Sequence, residues 1–289
     1  MTGALAVICA AVLFGTTGTA QALGPDGTTP LGVGTLRIAV GAVALWVIAR
    51  RRPRRPVRTD VGWLALGAVG VAGYQPTFFT GTDRAGVALG TIVALGSGPA
   101  FAGLLDVVLF RRRPAPSWLA ATTVALSGGA LLVAAQGGAV RLDALGVTAA
   151  LGAGLSYAGY AVATKVLIGR GWNSTTALAT QFSLGALVLI PFLAGQPLGW
   201  VATGSGLLML AHLGVVTVGV AYWLYGIGLR TLPTSTAVLL TLAEPVTAAG
   251  AAVVVLDEHL PPLGWLGAAL VVAGLALGAT RRRALPPEA

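Results

Sequence analysis

Glu244 is one of nine acidic residues in a chain of 289, and it stands in the otherwise apolar run Leu242-Ala243-Glu244-Pro245-Val246. A carboxyl group deep in an apolar segment is costly and has to face a packed interior or water, which makes it a candidate to grip an amine or carry a proton. The alternative is a protonated or hydrogen-bonded glutamate that joins two helices. Arg37 interrupts an apolar run in the same way. It could take a carboxylate and form, with Glu244, a site for a zwitterion; equally, it could neutralise a helix partner or snorkel outward. Aromatic residues gather in three runs: Tyr74, Phe78 and Phe79, then Tyr157 and Tyr160, then Tyr222, Trp223 and Tyr225. A phenol deep in an apolar segment needs a partner, so the faces Tyr74/Phe78 and Gln21/Gln75 are expected to line a pocket of mixed polarity. The candidate binding set is Tyr74, Gln75, Phe78, Tyr157, Tyr160, Trp223 and Glu244. His212 could belong to the pocket or to the packing.

Catalytic chemistry finds little material. Cys9 is the only cysteine, and His212 and His259 are the only histidines. That excludes an intrachain disulfide and leaves too few ligands for a protein zinc site. No metal or cofactor is expected. No H-E-x-x-H is present, Ser97 has no histidine at a helical partner position, and Asp106 is the single aspartate inside an apolar segment, which removes a paired-aspartate mechanism. A Walker A loop would need Lys followed by Ser or Thr, whereas the one lysine, Lys165, precedes Val166. No catalytic residue is therefore assigned. Asp106, one turn from Arg111, reads as half of an interfacial ion pair, and Lys165 as an orientation charge.

The elements that position these residues follow from composition. Hydrophobic residues make up 56% of the chain and charged residues 9%, against about 25% charged in a soluble domain, and the mean hydropathy is +0.85. The chain reads as all-α and integral to a membrane. Crossing about 30 Å of hydrocarbon takes about 20 apolar residues as a helix. Ten segments pass: 3–24, 29–50, 60–81, 86–110, 116–136, 143–168, 174–194, 206–229, 233–256 and 262–280. They are about twice the length that a barrel strand requires. The first is too long for a signal-peptide core and is read as an uncleaved helix.

Charge sets the expected orientation. The net charge of +9 and a pI near 11.0 could suggest nucleic acid, but the arginines sit in short clusters between apolar runs, so no nucleic acid partner is expected. With a cytoplasmic N-terminus, Arg50, Arg51, Arg52, Arg54, Arg55, Arg58, Arg111, Arg112, Arg113, Lys165, Arg170, Arg230, Arg281, Arg282 and Arg283 all fall inside. Only Arg84 and Arg141 fall outside. Basic residues mark the cytoplasmic side, so both termini are placed there. The preference for Arg over Lys and the abundance of Ala and Gly suggest a GC-rich genome and a bacterial cell (plasma) membrane.

The chain also repeats itself. A gap-free shift pairs Arg84 with Arg230, Pro99 with Pro245, Pro116 with Pro262 and Gly128 with Gly274. Earlier, Gly18 pairs with Gly159 and Gly41-Ala42 with Gly185-Ala186. Residues 1–136 and 143–280 would each hold five spans, an odd number, so the second half enters the membrane inverted. Inverted halves can exchange conformations and open a central site to either side in turn. Pro99 and Pro245 sit mid-span, where a proline removes a donor and crowds the carbonyl four residues back. They are expected to kink their helices, either as static bends or as gating points around a cavity. Small residues at four-residue spacing, such as Gly86/Gly90 and Gly274/Gly278, let helix backbones approach closely in lipid.

These halves resemble the EamA repeats of the drug/metabolite transporter superfamily. The likeness is carried by Leu242-Ala243-Glu244-Pro245-Val246, Leu256-Asp257-Glu258, Gly264-Trp265-Leu266-Gly267 and Ala273-Gly274. The first half is weaker, with Gly98-Pro99 for Glu244-Pro245 and Arg112 for Glu258. The resemblance implies a ten-helix secondary carrier, an exporter of amino acids, other metabolites or drugs. It also implies that the second and seventh spans are peripheral, which favours the packing reading of Arg37. The function expected is secondary active or facilitative transport of small metabolites by alternating access, amino acids before cationic drugs, with a channel, a scaffold or an intramembrane enzyme as lesser alternatives. The expected partners are a small-molecule substrate and the lipid bilayer, with proton coupling left open and a monomer as the working unit.

Overall fold

The computed structural model describes residues 2–50, 57–135, 137 and 141–280. Arg51, Arg52, Arg54, Arg55, Arg281, Arg282 and Arg283 lie outside the described residues, as does Gln136 at the end of the first repeat.

Helices account for almost all of the described chain, and no strand occurs among the described residues. The first seven are α1 (Gly3–Ala22), α2 (Pro30–Ala49), α3 (Arg58–Ala85), α4 (Val87–Phe110), α5 (Pro116–Ala135), α6 (Ala144–Gly169) and α7 (Ser174–Leu189). Short polar residues start four of them, α1, α2, α6 and α7. The Thr29 hydroxyl accepts from the Gly32 amide at 3.1 Å, Asp143 from Gly146 at 2.7 Å, and Asn173 from Thr175 at 2.9 Å. Each satisfies a donor that a helix start leaves open. Arg50 and Arg111, both with positive φ, end α2 and α4 in the left-handed conformation.

The C-terminal part is more broken than the sequence suggests. Span 206–229 comprises α8 (Gly204–Ala211), a π-helical segment (His212–Val220) and α9 (Ala221–Thr231). Span 233–256 divides into α10 (Thr234–Leu240) and α11 (Ala243–Val255), and α12 (Pro262–Thr280) closes the fold. Eight helical stretches of 20 to 28 residues are long and apolar enough to cross a membrane, and Pro262–Gly278 is a shorter apolar helix. The 28-residue α3 is not among the eight because Asp60, Gln75, Pro76, Asp83 and Arg84 dilute its apolar character. Large aliphatic side chains face outward, Leu208 at 74% exposed and Val254 at 79%. This is the coat expected of a bundle whose solvent is lipid, and the chain is a multi-pass membrane protein.

Backbones meet where small residues permit. A Cβ on Gly128 would reach the Gly267 carbonyl at 2.6 Å, and one on Gly274 would reach the Ala125 amide at 2.6 Å, so α5 and α12 touch main chain to main chain. Gly15 of α1 lies equally close to the Glu244 carbonyl in α11, at 2.7 Å for an added Cβ. Gly3 packs on Thr231 and the Gly228 carbonyl, whereas Gly24 packs on Met209. The turn between α9 and α10 therefore lies at the Gly3 end of the bundle and the start of α8 at the Gly24 end.

Asp106 departs from expectation. It is buried, and its carboxylate accepts from the Ser235 amide at 2.8 Å at the start of α10. Facing into the bundle, it meets a helix start rather than Arg111. The ion pairs found among the described residues are Arg84–Asp143, at 3.8 Å, and Arg170–Asp60, at 3.4 Å.

Candidate functional site

A cavity with about 170 Å³ of room for the centres of water molecules opens between the helices. α1 contributes Phe14, Thr17 and Gln21; α3 contributes Tyr74, Gln75, Phe78 and Phe79; α6 contributes Tyr157 and Tyr160. Tyr222 of α9, Thr217 of the π segment, and Val238, Thr241, Leu242 and Glu244 around the α10–α11 break complete most of the wall. Six of the seven residues picked from the sequence are thus brought together: Tyr74, Gln75, Phe78, Tyr157, Tyr160 and Glu244. The exception is Trp223, which is 36% exposed and is absent from the wall. Successive helical residues diverge by about 100°, so with Tyr222 pointing inward its neighbour faces outward.

The aromatic wall is a connected set. Tyr74 stacks on Phe78 with ring centroids 5.7 Å apart, meets Tyr157 edge-on at 6.4 Å, and Tyr157 in turn contacts Tyr160 at 5.2 Å. The Tyr160 and Tyr222 hydroxyls are hydrogen-bonded at 2.9 Å. Tyr157 donates to the Thr241 hydroxyl at 2.8 Å, and Thr241 donates to the Val238 carbonyl at 2.7 Å. The hydroxyls of Tyr157, Tyr160 and Tyr222 are thereby satisfied while their rings line the cavity.

Two opposite charges line this wall. The Gln75 amide, with its oxygen turned to the guanidinium, accepts from Arg37 Nε and Nη2 at 3.1 Å each, so Arg37 is held in place rather than snorkelling. It lines the cavity, against the expectation of a peripheral packing arginine. Gln181, which pairs with Arg37 at the offset that pairs Gly41 with Gly185, is fully buried, accepts from the Thr164 hydroxyl at 2.9 Å and fills the space beside Gly67. Glu244 sits at the start of α11, and among the described residues no side chain hydrogen-bonds or ion-pairs with its carboxylate. Arg37 and Glu244 line the same cavity. An amine and a carboxylate on one small molecule could each find an opposite charge here. Twelve wall residues fall outside the sequence-derived set, among them Phe14, Thr17, Gln21, Arg37, Phe79, Thr217, Tyr222 and Thr241. Gln21, Arg37, Phe79 and Tyr222 carried a visible signal: a polar face shared with Gln75, a charge interrupting an apolar run, and places in the first and third aromatic runs.

Pro99 and Pro245 sit differently. Pro99 is buried inside an unbroken α4. Pro245 is the third residue of α11, after a break at Thr241–Leu242, and it borders a separate outer cleft with Leu95, Leu126 and Leu242. His212 is outside the central cavity. It hydrogen-bonds the Thr16 hydroxyl at 2.8 Å and lines a lateral pocket with Thr19, Leu208, Met209 and Ala251.

A cavity at mid-bundle enclosed by long apolar helices is the arrangement of a membrane carrier, and family comparison agrees. The sequence profile described as "EamA-like transporter family" matches residues 1–134 and again 144–280. The chain belongs to the EamA-like transporter family. The "Uncharacterized transporter YwfM" of Bacillus subtilis (strain 168) is 39% identical over 277 residues, covering 94% of this chain and 91% of the relative. The "Probable terminal-alkyne amino-acid exporter" of Streptantibioticus cattleyicolor is 30% identical over 260 residues, covering 88% and 86%. A solved crystal structure covers 96% of both chains with a TM-score of 0.82 at 23% identity, a likeness of fold alone. This EamA protein is a membrane transporter, and its role is not enzymatic.

Proposed function

We propose that this protein exports small zwitterionic metabolites, amino acids first, by alternating access between two inverted five-helix repeats at 1–136 and 143–280. In this reading ten spans cross the cell membrane with both termini cytoplasmic. α8, the π segment and α9 form one span, α10 and α11 another, and α3 and α12 complete the ten. The observation that carries the substrate class is the pairing of Arg37, fixed by Gln75, with Glu244 on the wall of one aromatic cavity. A cation alone would be drawn to Glu244 and repelled by Arg37, whereas a zwitterion answers both. The amino-acid exporter among the relatives supports the same class. The chain is expected to work as a monomer in the bilayer, driven by the substrate's own gradient or by protons.

The second reading is export of cationic drugs, favoured by the run of tyrosine and phenylalanine faces, which suit cation–π contact. Counterflow in proteoliposomes separates the two. Zwitterionic amino acids should exchange in a saturable way and cationic dyes should not, and Arg37→Gln should erase that preference. Saturable exchange of dyes alone would overturn the zwitterion reading.

A further inference from the structure

The turns α3–α4 and α9–α10 correspond in sequence, since Arg84 pairs with Arg230. They are held very differently. At α9–α10, Lys165 of α6 donates to the Leu229 and Leu232 carbonyls at 2.6 and 2.9 Å, capping the end of α9. Three residues beyond Leu232, the buried Asp106 of α4 takes the Ser235 amide. A cation thus sits on a helix C-terminus and an anion on a helix N-terminus, each at the sign the backbone dipoles favour, the anion buried and the cation partly buried. At α3–α4 the Arg141 amide donates to the Ala85 carbonyl at 3.0 Å, and the side-chain restraint is an exposed pair, Arg84–Asp143, with side chains 49% and 37% exposed at 3.8 Å. Exposed pairs of that kind contribute little. The residues that would mirror the clamp are uncharged: Asp106 pairs with Ala252, and Lys165 with Gly24.

We propose that the α9–α10 turn is the gate of the Gly3 end, held shut by Lys165 and Asp106, and that this one-sided clamp sets the resting direction of the carrier. The inference rests on the alternating-access reading above. The clamp reaches the cavity through α10. That helix runs from Ser235 on Asp106 to Val238 on the cavity wall and ends beside Thr241. Val238 also lies against α4, whose Gly98 would place a Cβ 3.6 Å from it. A ligand that moves Thr241 or Glu244 therefore pulls on the same seven-residue helix that the clamp holds at its other end. The cavity wall on α1, Phe14 through Gln21, lies towards the Gly24 end, which is the end without the clamp.

The test uses the full-length chain with Cys9→Ala and a reporter, Val238→Cys, in oriented membrane vesicles, probed with a charged, membrane-impermeant methanethiosulfonate. The parent should be modified faster from the Gly24 side, the side proposed as external. Asp106→Asn and Lys165→Met should each raise modification from the Gly3 side about tenfold, and Lys165→Arg should restore the parent rate. Continued labelling from the Gly24 side shows that each variant has folded. Gly3-side rates unchanged from the parent in both clamp variants would overturn the gate while leaving alternating access standing. Equal rates from both sides in the parent would overturn the proposed resting direction, whereas a parent without saturable counterflow would overturn the alternating-access reading itself.

Discussion

The two helices that carry a sequence-related proline behave in opposite ways. α4 runs unbroken through Gly98-Pro99, whereas the run through Glu244-Pro245 stops at Leu240 and restarts at Ala243. Restarting places Pro245 in the first turn of α11, where its missing N–H would have had no intrahelical partner. Thr241 stabilises the break: its carbonyl accepts from the Glu244 amide at 2.9 Å, and its hydroxyl links Tyr157 to the Val238 carbonyl. Tyr157 spans the pair. Its hydroxyl rests on the broken helix and its ring on the unbroken one, 3.3 Å from where a Cβ on Gly98 would stand. A proline alone does not decide whether a helix opens. The side chains that receive the freed backbone groups decide it, and here they hold a carboxylate at the cavity.

Changes at the two positions should separate their roles. The largest effect is expected for Glu244→Ala, which should cut counterflow about a hundredfold with expression retained; wild-type rates would reduce Glu244 to a packing residue. Gly98→Leu should come next, because its side chain must displace the Tyr157 ring. A loss of about 1–3 kcal/mol, read as a lower thermal midpoint in detergent, would be accompanied by weakened substrate binding. Tyr157→Phe removes the bond that anchors the break and should cost about 1 kcal/mol, whereas Tyr225→Phe, which leaves that bond intact, provides the control. Pro245→Ala should change stability by less than about 1 kcal/mol, since α11 begins before it. A transport defect without a stability change would indicate that the break heals into a continuous helix. Trp223→Phe, on the lipid side, should leave counterflow unaltered.

Much of this was legible in the sequence because lipid imposes one simple rule. Apolar runs long enough to span marked nearly every helix, and aromatic spacing identified Tyr74 with Phe78 and Tyr157 with Tyr160. What escaped were features set by neighbours distant in the chain. Arg37 reads as peripheral until Gln75 of α3 is seen to hold it. Asp106 reads as a partner of the nearby Arg111 until the Ser235 amide is brought to it. Trp223 and Tyr222 are adjacent letters in the sequence, and only the rotation of α9 assigns one to the cavity and the other to lipid. The break at Thr241 and the switch to π-helical geometry at His212 leave no mark on hydropathy, which averages over them.

Thr16 and Thr17 are consecutive in α1, yet Thr16 bonds His212 in the lateral pocket and Thr17 lines the central one. A single helix is therefore the whole thickness of the partition between two compartments, one bordered by lipid-facing leucines and one by charge. Turning that partition by a single residue step, about 100°, would trade the hydroxyl presented to each room. Its angular setting is thus a mechanical quantity that both rooms register at once.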